Sequence, residues 1–132
     1  MFQVGQEYRR REIHEQIGGQ RYGGISTPAK HAVILLFTGS AGEAHGYADG
    51  WSKDVFHYFG EGQSGDMQLA RGNKAIRDHA NDGKELHLFK QKGKGIVEYV
   101  GQFGYVSHRL EKGPDTEGKL RQSIVFELSP VS

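Results

Sequence analysis

The side chains best suited to chemistry lie close together in the chain: Tyr47, Asp49, Trp51, Phe56, Tyr58, Phe59, Glu61 and Asp66, set among glycines. Such a group suits a planar heterocycle. Aromatic rings stack on its faces, carboxylates accept from exocyclic amines, and backbone amides bared by glycine read ring oxygens. A plainer use is equally open, because Phe56 and Tyr58 stand two apart in a strand-like run and would share one buried face.

Catalytic arrangements are thinly supported. The histidines His14, His31, His45, His57, His79, His87 and His108 show neither HExxH nor any i, i+4 pair, so no helical metal site is expected. His57 and His87 fall in strands and read as structural. No GxSxG elbow surrounds a serine. Gly60-x-Gly62-x-x-Gly65 matches GxGxxG and follows a strand, but no ribose-binding acid ends a strand about twenty residues on. A small hydrolase or metalloenzyme using His57, Glu61 and Asp66 is the remaining catalytic alternative, and no cofactor or metal is expected.

These residues need elements to position them. Glu7–Ile17 reads as a helix, with Tyr8, Ile13 and Ile17 on one face and Gly18-Gly19 as its stop. His31–Thr38 is the clearest buried strand, an apolar run rich in β-branched and aromatic residues. Val55–Phe59 is a short aromatic strand, followed by the glycine loop Gly60–Gly65. Asp66 would cap a helix over roughly Met67–Asn81, closed by Gly83. Glu85–Lys90, Ile96–Phe103, Gly104–Leu110 and Arg121–Leu128 alternate as strands, with a polar turn at Lys112–Gly118. Five or six strands with two main helices favour an α+β domain with a curved mixed sheet or open barrel.

Composition agrees. One domain is expected from 132 residues, and 20 glycines scattered among aromatic and β-branched residues suit a turn-rich β protein. With no cysteine, disulfide scaffolds, zinc knuckles and thiolate catalysis are excluded. The longest apolar stretch, Ala32–Phe37, is far short of a membrane helix, and Met1–Gly5 lacks the segments of a signal peptide. A cytoplasmic protein without membrane contact is expected. A formal charge of +1 implies that any nucleic-acid role rests on a local patch and a specific pocket. Arg9-Arg10-Arg11 is either a solvated helix face or a phosphate contact.

At Tyr47–Asn73 the pattern becomes recognisable. Gly46-Tyr47-Ala48-Asp49, Phe56-His57-Tyr58-Phe59-Gly60-Glu61-Gly62 and Leu69-Ala70-Arg71-Gly72-Asn73-Lys74-Ala75-Ile76 resemble, in order, three motifs of the SRA (SET- and RING-associated) domain. The resemblance is closest to the N-terminal modules of bacterial Mcr-type modification-dependent endonucleases, with phrases such as Gly23-Gly24-Ile25-Ser26 and Gly65-Asp66-Met67, and it covers essentially the whole chain.

The resemblance implies a PUA-like open β-barrel over residues 1–132. It also implies that a modified cytosine, 5-methyl- or 5-hydroxymethylcytosine, is flipped out of duplex DNA into a pocket. Tyr47 and Tyr58 then match the rings that sandwich the base, and Asp49 accepts from its amine. Backbone amides around Tyr58-Phe59-Gly60 serve the O2/N3 edge, with Trp51 nearby. Arg10, Arg21, Tyr22, Ser26, Lys30, His31, Gln63, Ser64, Arg71, Asn73 and Lys74 become the expected DNA contacts. Departures are visible: Phe59 replaces a threonine, Gly50 replaces a second acid, and only Gln63-Ser64-Gly65 stands where eukaryotic members insert a basic finger. Arg21-Tyr22 or Lys30-His31 would supply the wedge that fills the vacated stack. The chain would be a non-enzymatic reader in a bacterial restriction system, nucleoid-associated, with any HNH nuclease elsewhere. A module for modified RNA on the same fold is the alternative.

Overall fold

The computed structural model describes residues 2–39 and 49–131. Its elements in chain order are β1 (Glu7–Arg9), α1 (Arg10–Ile17), β2 (Ile25–Ser26), β3 (Val33–Thr38), β4 (Gly50–Ser52), β5 (Val55–Phe59), α2 (Arg71–Asp78), β6 (Glu85–Gly93), β7 (Ile96–Pro114) and β8 (Leu120–Pro130). The eight strands form one sheet in the order β2-β3-β6-β7-β8-β5-β4, with β1 paired separately to β7. Among the described residues only β3 and β6 run parallel, so the sheet is mixed, and it is open because its edges β2 and β4 are not paired to each other there. The α+β class expected from sequence is the one observed.

Burial explains why β3 is apolar along its whole length. Ile34 and Leu36 enter the larger core with Phe56, Leu86, Leu88, Phe126 and Ile76 of α2, whereas Val33, Leu35 and Phe37 enter a second core with Phe89, Tyr99 and Ile13 of α1. A strand covered on both faces carries no polar alternation. The two described helices thus pack on opposite faces of the sheet.

Boundaries differ from expectation where tertiary pairing intervenes; β7 runs on to Pro114 opposite Leu120, so the polar turn expected from Lys112 begins only after Pro114. The expected helix from Glu7 starts instead at Arg10, because Glu7–Arg9 pair with Ile96–Glu98 of β7. The second helix starts at Arg71 and not at Met67: the Met67 amide donates to the Gln122 carbonyl, and Asp66 Oδ1 accepts the Gln122 amide, so this stretch is held by β8. Asp66 is therefore no cap. The two strands expected over Ile96–Leu110 are one, β7, which absorbs a register shift between Tyr105 and Ser107.

Candidate functional site

The site takes shape where the ends of β3 and β5 converge. Thr38, the last residue of β3, donates its hydroxyl to Asp49 Oδ2 at 2.7 Å. The Phe59 amide, at the end of β5, donates to Asp49 Oδ1 at 2.8 Å. One carboxylate thus joins two strands that are far apart in the sheet order, and its orientation is set at both oxygens. Curvature of the sheet makes this possible.

Tyr58 spans the same gap. Its hydroxyl donates to the Gly24 carbonyl at 2.7 Å and lies 3.1 Å from the Phe37 carbonyl, clasping β5 to the β2–β3 side. The ring is only 2% exposed and belongs to the larger core. Burial, reinforced by the nearby Asp49 carboxylate, raises the phenol well above its usual pKa, so it remains a neutral donor. Gly24 has no room for a side chain: a Cβ there would meet the Tyr58 hydroxyl at 2.7 Å.

Beside the clasp, the Arg10 guanidinium sits 3.7 Å from the centre of the Phe37 ring. Its Nε donates to His14 Nε2 at 3.0 Å and its Nη2 to the Gln20 carbonyl at 3.3 Å. Because His14 Nε2 accepts, the proton lies on Nδ1, which faces the Gly18 carbonyl at 2.8 Å. Burial is the main cause that lowers the His14 pKa, and the Arg10 and Arg21 charges add to it.

Below the site, Asn73 builds the corner from glycine loop to helix. It is 1% exposed, its Oδ1 accepts the Glu61 amide, and its Nδ2 donates to the Glu61 and Gln68 carbonyls, all at 2.8–2.9 Å. Glu61 Oε2 in turn accepts the Gly72 amide in the first turn of α2, satisfying a donor that has no partner within the helix. A Cβ at Gly60 would lie 2.6 Å from Asn73 Oδ1, which explains the glycine. The loop's far end is fastened by the β7–β8 turn, where Asp115 accepts the Gly65, Glu117 and Lys119 amides. Those backbone bonds, led by that from Lys119, lower its pKa.

Comparison with known proteins identifies this arrangement. Residues 4–132 match the family model described as the ScoMcrA-like SRA domain. The chain belongs to that family. No curated protein matches it in sequence. Among solved structures, it resembles the sulfur-binding and SRA domains of ScoMcrA complexed with phosphorothioated DNA (27% identity, TM-score 0.79), covering 99% of this chain and 40% of that one. It resembles the phosphorothioation-dependent restriction endonuclease ScoMcrA equally (28% identity, TM-score 0.79), covering 99% of this chain and 25% of that one. The chain therefore spans well under half the length of either. The SRA domain of SUVH5 in complex with fully methylated CG DNA shares the fold at 21% identity and TM-score 0.72, covering 98% of this chain and 89% of that one.

Within this SRA domain the expected site residues separate into groups. Tyr47 lies outside the described residues. Asp49 stands where the strand ends meet. Tyr58 does not offer an open stacking face, because its ring is core and its hydroxyl is spent on carbonyls. Nor are the amides of Phe59 and Gly60 free to read a base edge: Phe59 donates to Asp49, and Gly60 to the Ile124 carbonyl. Trp51 is 52% exposed on the edge strand β4, its edge against Phe56.

Among the expected DNA contacts, Ser26 and Asn73 are corrected. Ser26 is fully buried with its hydroxyl on Gln20, and Asn73 is structural. Arg10 is half-buried, oriented by Phe37 and His14. Arg21, Lys30, His31, Gln63, Ser64, Arg71 and Lys74 are exposed, and Tyr22 stands 87% exposed two residues before the clasped Gly24. The catalytic alternative finds no constellation. His57 contacts Arg109, Glu61 holds Gly72 and Asp66 holds Gln122, and no potential metal cluster occurs among the described residues. No helix among them is long and apolar enough to cross a membrane.

Sequence reasoning missed Thr38, Phe37, His14 and Gly24. Thr38 carried a usable signal, being the one hydroxyl at the exit of an apolar strand, directly before a glycine-rich loop.

Proposed function

We propose that this single SRA domain, residues 1–132, binds duplex DNA and reads a 5-methyl- or 5-hydroxymethylcytosine turned out of the helix. The observation that carries the reading is the Asp49 carboxylate, oriented by Thr38 and Phe59 at the meeting of two strand ends. A carboxylate so held accepts from the exocyclic amine that cytosine has and thymine lacks. Relatives captured on phosphorothioated and methylated DNA, and SUVH5 on hydroxymethylated CG DNA, support a modified duplex as the partner.

In this reading Tyr47 stacks on the base, returning about 1–3 kcal/mol against the few kcal/mol that flipping costs. Tyr58 acts as the pillar behind the pocket: it holds the Gly24 and Phe37 carbonyls and so steadies the β2–β3 side, where Thr38 orients Asp49. Tyr22, exposed beside that wall, fills the vacated stack, and Arg21, Lys30, Arg71 and Lys74 meet phosphates. The domain serves as the reader of a restriction system acting on DNA in the bacterial cytoplasm, with an HNH nuclease supplied elsewhere in the protein.

The test is titration of matched duplexes carrying cytosine, 5-methylcytosine, 5-hydroxymethylcytosine or its glucosylated form, and one carrying a phosphorothioate linkage. Preferential binding of a modified-cytosine duplex, lost in Asp49→Ala and Tyr47→Ala, is the expected result. Equal binding of modified and unmodified cytosine overturns the reading, and preference for the phosphorothioate alone moves recognition from base to backbone.

A further inference from the structure

On its β6 side the β6–β7 hairpin runs past the core. Along β6 the side chains are buried from Leu86 to Phe89 and exposed from Lys90 onward, yet pairing with β7 continues to Gly93 opposite Ile96. The projecting piece reads Lys90-Gln91-Lys92-Gly93-Lys94-Gly95 and closes in a tight turn with Gly95 at φ +72°. This piece of β6 carries no apolar side chain, although across from it Val97 is buried in the second core and Ile96 is half-buried.

Its position relates it to the site. β3 and β6 run parallel, with Thr38 opposite Lys90, so the lysines begin where β3 delivers its hydroxyl to Asp49. Gly39 lies so close that a Cβ there would meet Gln91 Cβ at 2.8 Å. On the other side, the Arg10 amide donates to the Gly95 carbonyl at 2.9 Å, which sets the start of α1, with Arg9, Arg10 and Arg11, beside the turn. Six of the chain's 17 Lys and Arg gather here. The carboxylates facing them are Glu7 and Glu98, paired across β1 and β7, with Glu12 and Glu15 on α1. Lys92 is engaged by Glu98 at 3.5 Å and Arg11 by Glu15 at 4.0 Å, whereas Arg9, Arg10, Lys90 and Lys94 have no ion pair among the described residues.

We infer that this lysine hairpin, with the adjoining Arg9–Arg11 turn, grips the phosphate backbone of duplex DNA beside the base-reading pocket. The inference rests on the proposed DNA reading. Glycines at 93 and 95 keep the ribbon slim enough for close approach to a backbone, and exposed lysines at alternate positions suit contact without sequence readout.

The test compares the wild-type domain with a Lys90→Gln/Lys92→Gln/Lys94→Gln variant, on modified and unmodified duplexes, across a salt series. These side chains are exposed, so an unchanged melting temperature is expected. Each lost phosphate contact makes the dependence of log K on log salt shallower by about 0.9. The expected result is a slope reduced by roughly 2–3 and weaker binding to both duplexes by a similar factor, with the preference for modification intact. A control variant, Lys112→Gln/Lys119→Gln on the β7–β8 hairpin, keeps the wild-type slope. An unchanged slope in the triple variant overturns the inference even where wild-type prefers modified DNA. A reduced slope in a domain that shows no such preference supports the grip while overturning the base reading.

Discussion

The Tyr58 clasp ties the end of β5 to the β2–β3 side of the sheet, and Tyr58→Phe isolates it. The substitution removes one hydroxyl and leaves a ring of the same shape in the larger core, so no sizeable cavity opens. What is lost is the donor to the Gly24 carbonyl at 2.7 Å, with its secondary contact to the Phe37 carbonyl at 3.1 Å. The Gly24 carbonyl still accepts the Phe37 amide at 2.7 Å, so it is not left bare. The cost is therefore that of a net hydrogen bond, about 1 kcal/mol, and not the larger penalty of an orphaned buried acceptor. For a domain of this size that corresponds to a melting temperature lower by roughly 3–5 °C. Thermal and urea denaturation at neutral pH measure it; the difference from wild type shrinks as pH rises through about 10, because the unfolded phenol ionises there while burial keeps the folded one neutral. A variant that melts with wild type would refute the clasp. A loss above about 3 kcal/mol would show that the hydroxyl carries more than these two carbonyls.

Thr38→Val removes a hydrogen bond to a charged group, of a kind worth about 1.5–3 kcal/mol. Affinity for a modified-cytosine duplex should fall roughly tenfold or more in a titration, with Thr38→Ser restoring it. Asn73→Ala strips three short hydrogen bonds from the loop-to-helix corner, and chemical denaturation should show a loss of about 2–4 kcal/mol. His14 has its pKa lowered in the fold, chiefly by burial, so the unfolded chain takes up a proton first as pH falls. Its contribution to stability is complete above about pH 6.5 and is lost as pH drops through the folded value. Urea midpoints between pH 7 and 5 should fall less steeply in His14→Gln than in wild type.

Much of the fold was legible in periodicity. The unbroken apolar run of β3, the alternation of Phe56 and Tyr58 and the pattern of β8 identify strands without further information. Boundaries failed where partners distant in sequence recruit the backbone, as β7 recruits Glu7–Arg9 and β8 recruits Asp66 and Met67. The site was legible as a location and less so as a set of roles. A tyrosine at an alternating strand position reads the same whether a ligand or two carbonyls take up its environment. Asn73 and Ser26 are polar residues in recognisable motifs, but their hydrogen bonds turn inward, and residue type does not reveal the direction. Thr38 gains its role only through Asp49, eleven residues away along the chain.

The arrangement also resolves a difficulty raised by the near-zero net charge. In the proposed reading the Asp49 carboxylate accepts the cytosine amine, and a carboxylate brought up to DNA meets the repulsion of the phosphates. Asp49 is accordingly held from within by donors at both oxygens, while the cations Lys90, Lys92, Lys94 and Arg10 stand at the neighbouring strand end and helix start. On that reading, attraction for the duplex and discrimination of the base reside in different residues. They should respond separately: neutralising the hairpin changes the salt dependence and leaves the modification preference, whereas loosening Asp49 changes the preference and leaves the salt slope. A domain whose affinity and selectivity always fell together would need a different division of labour.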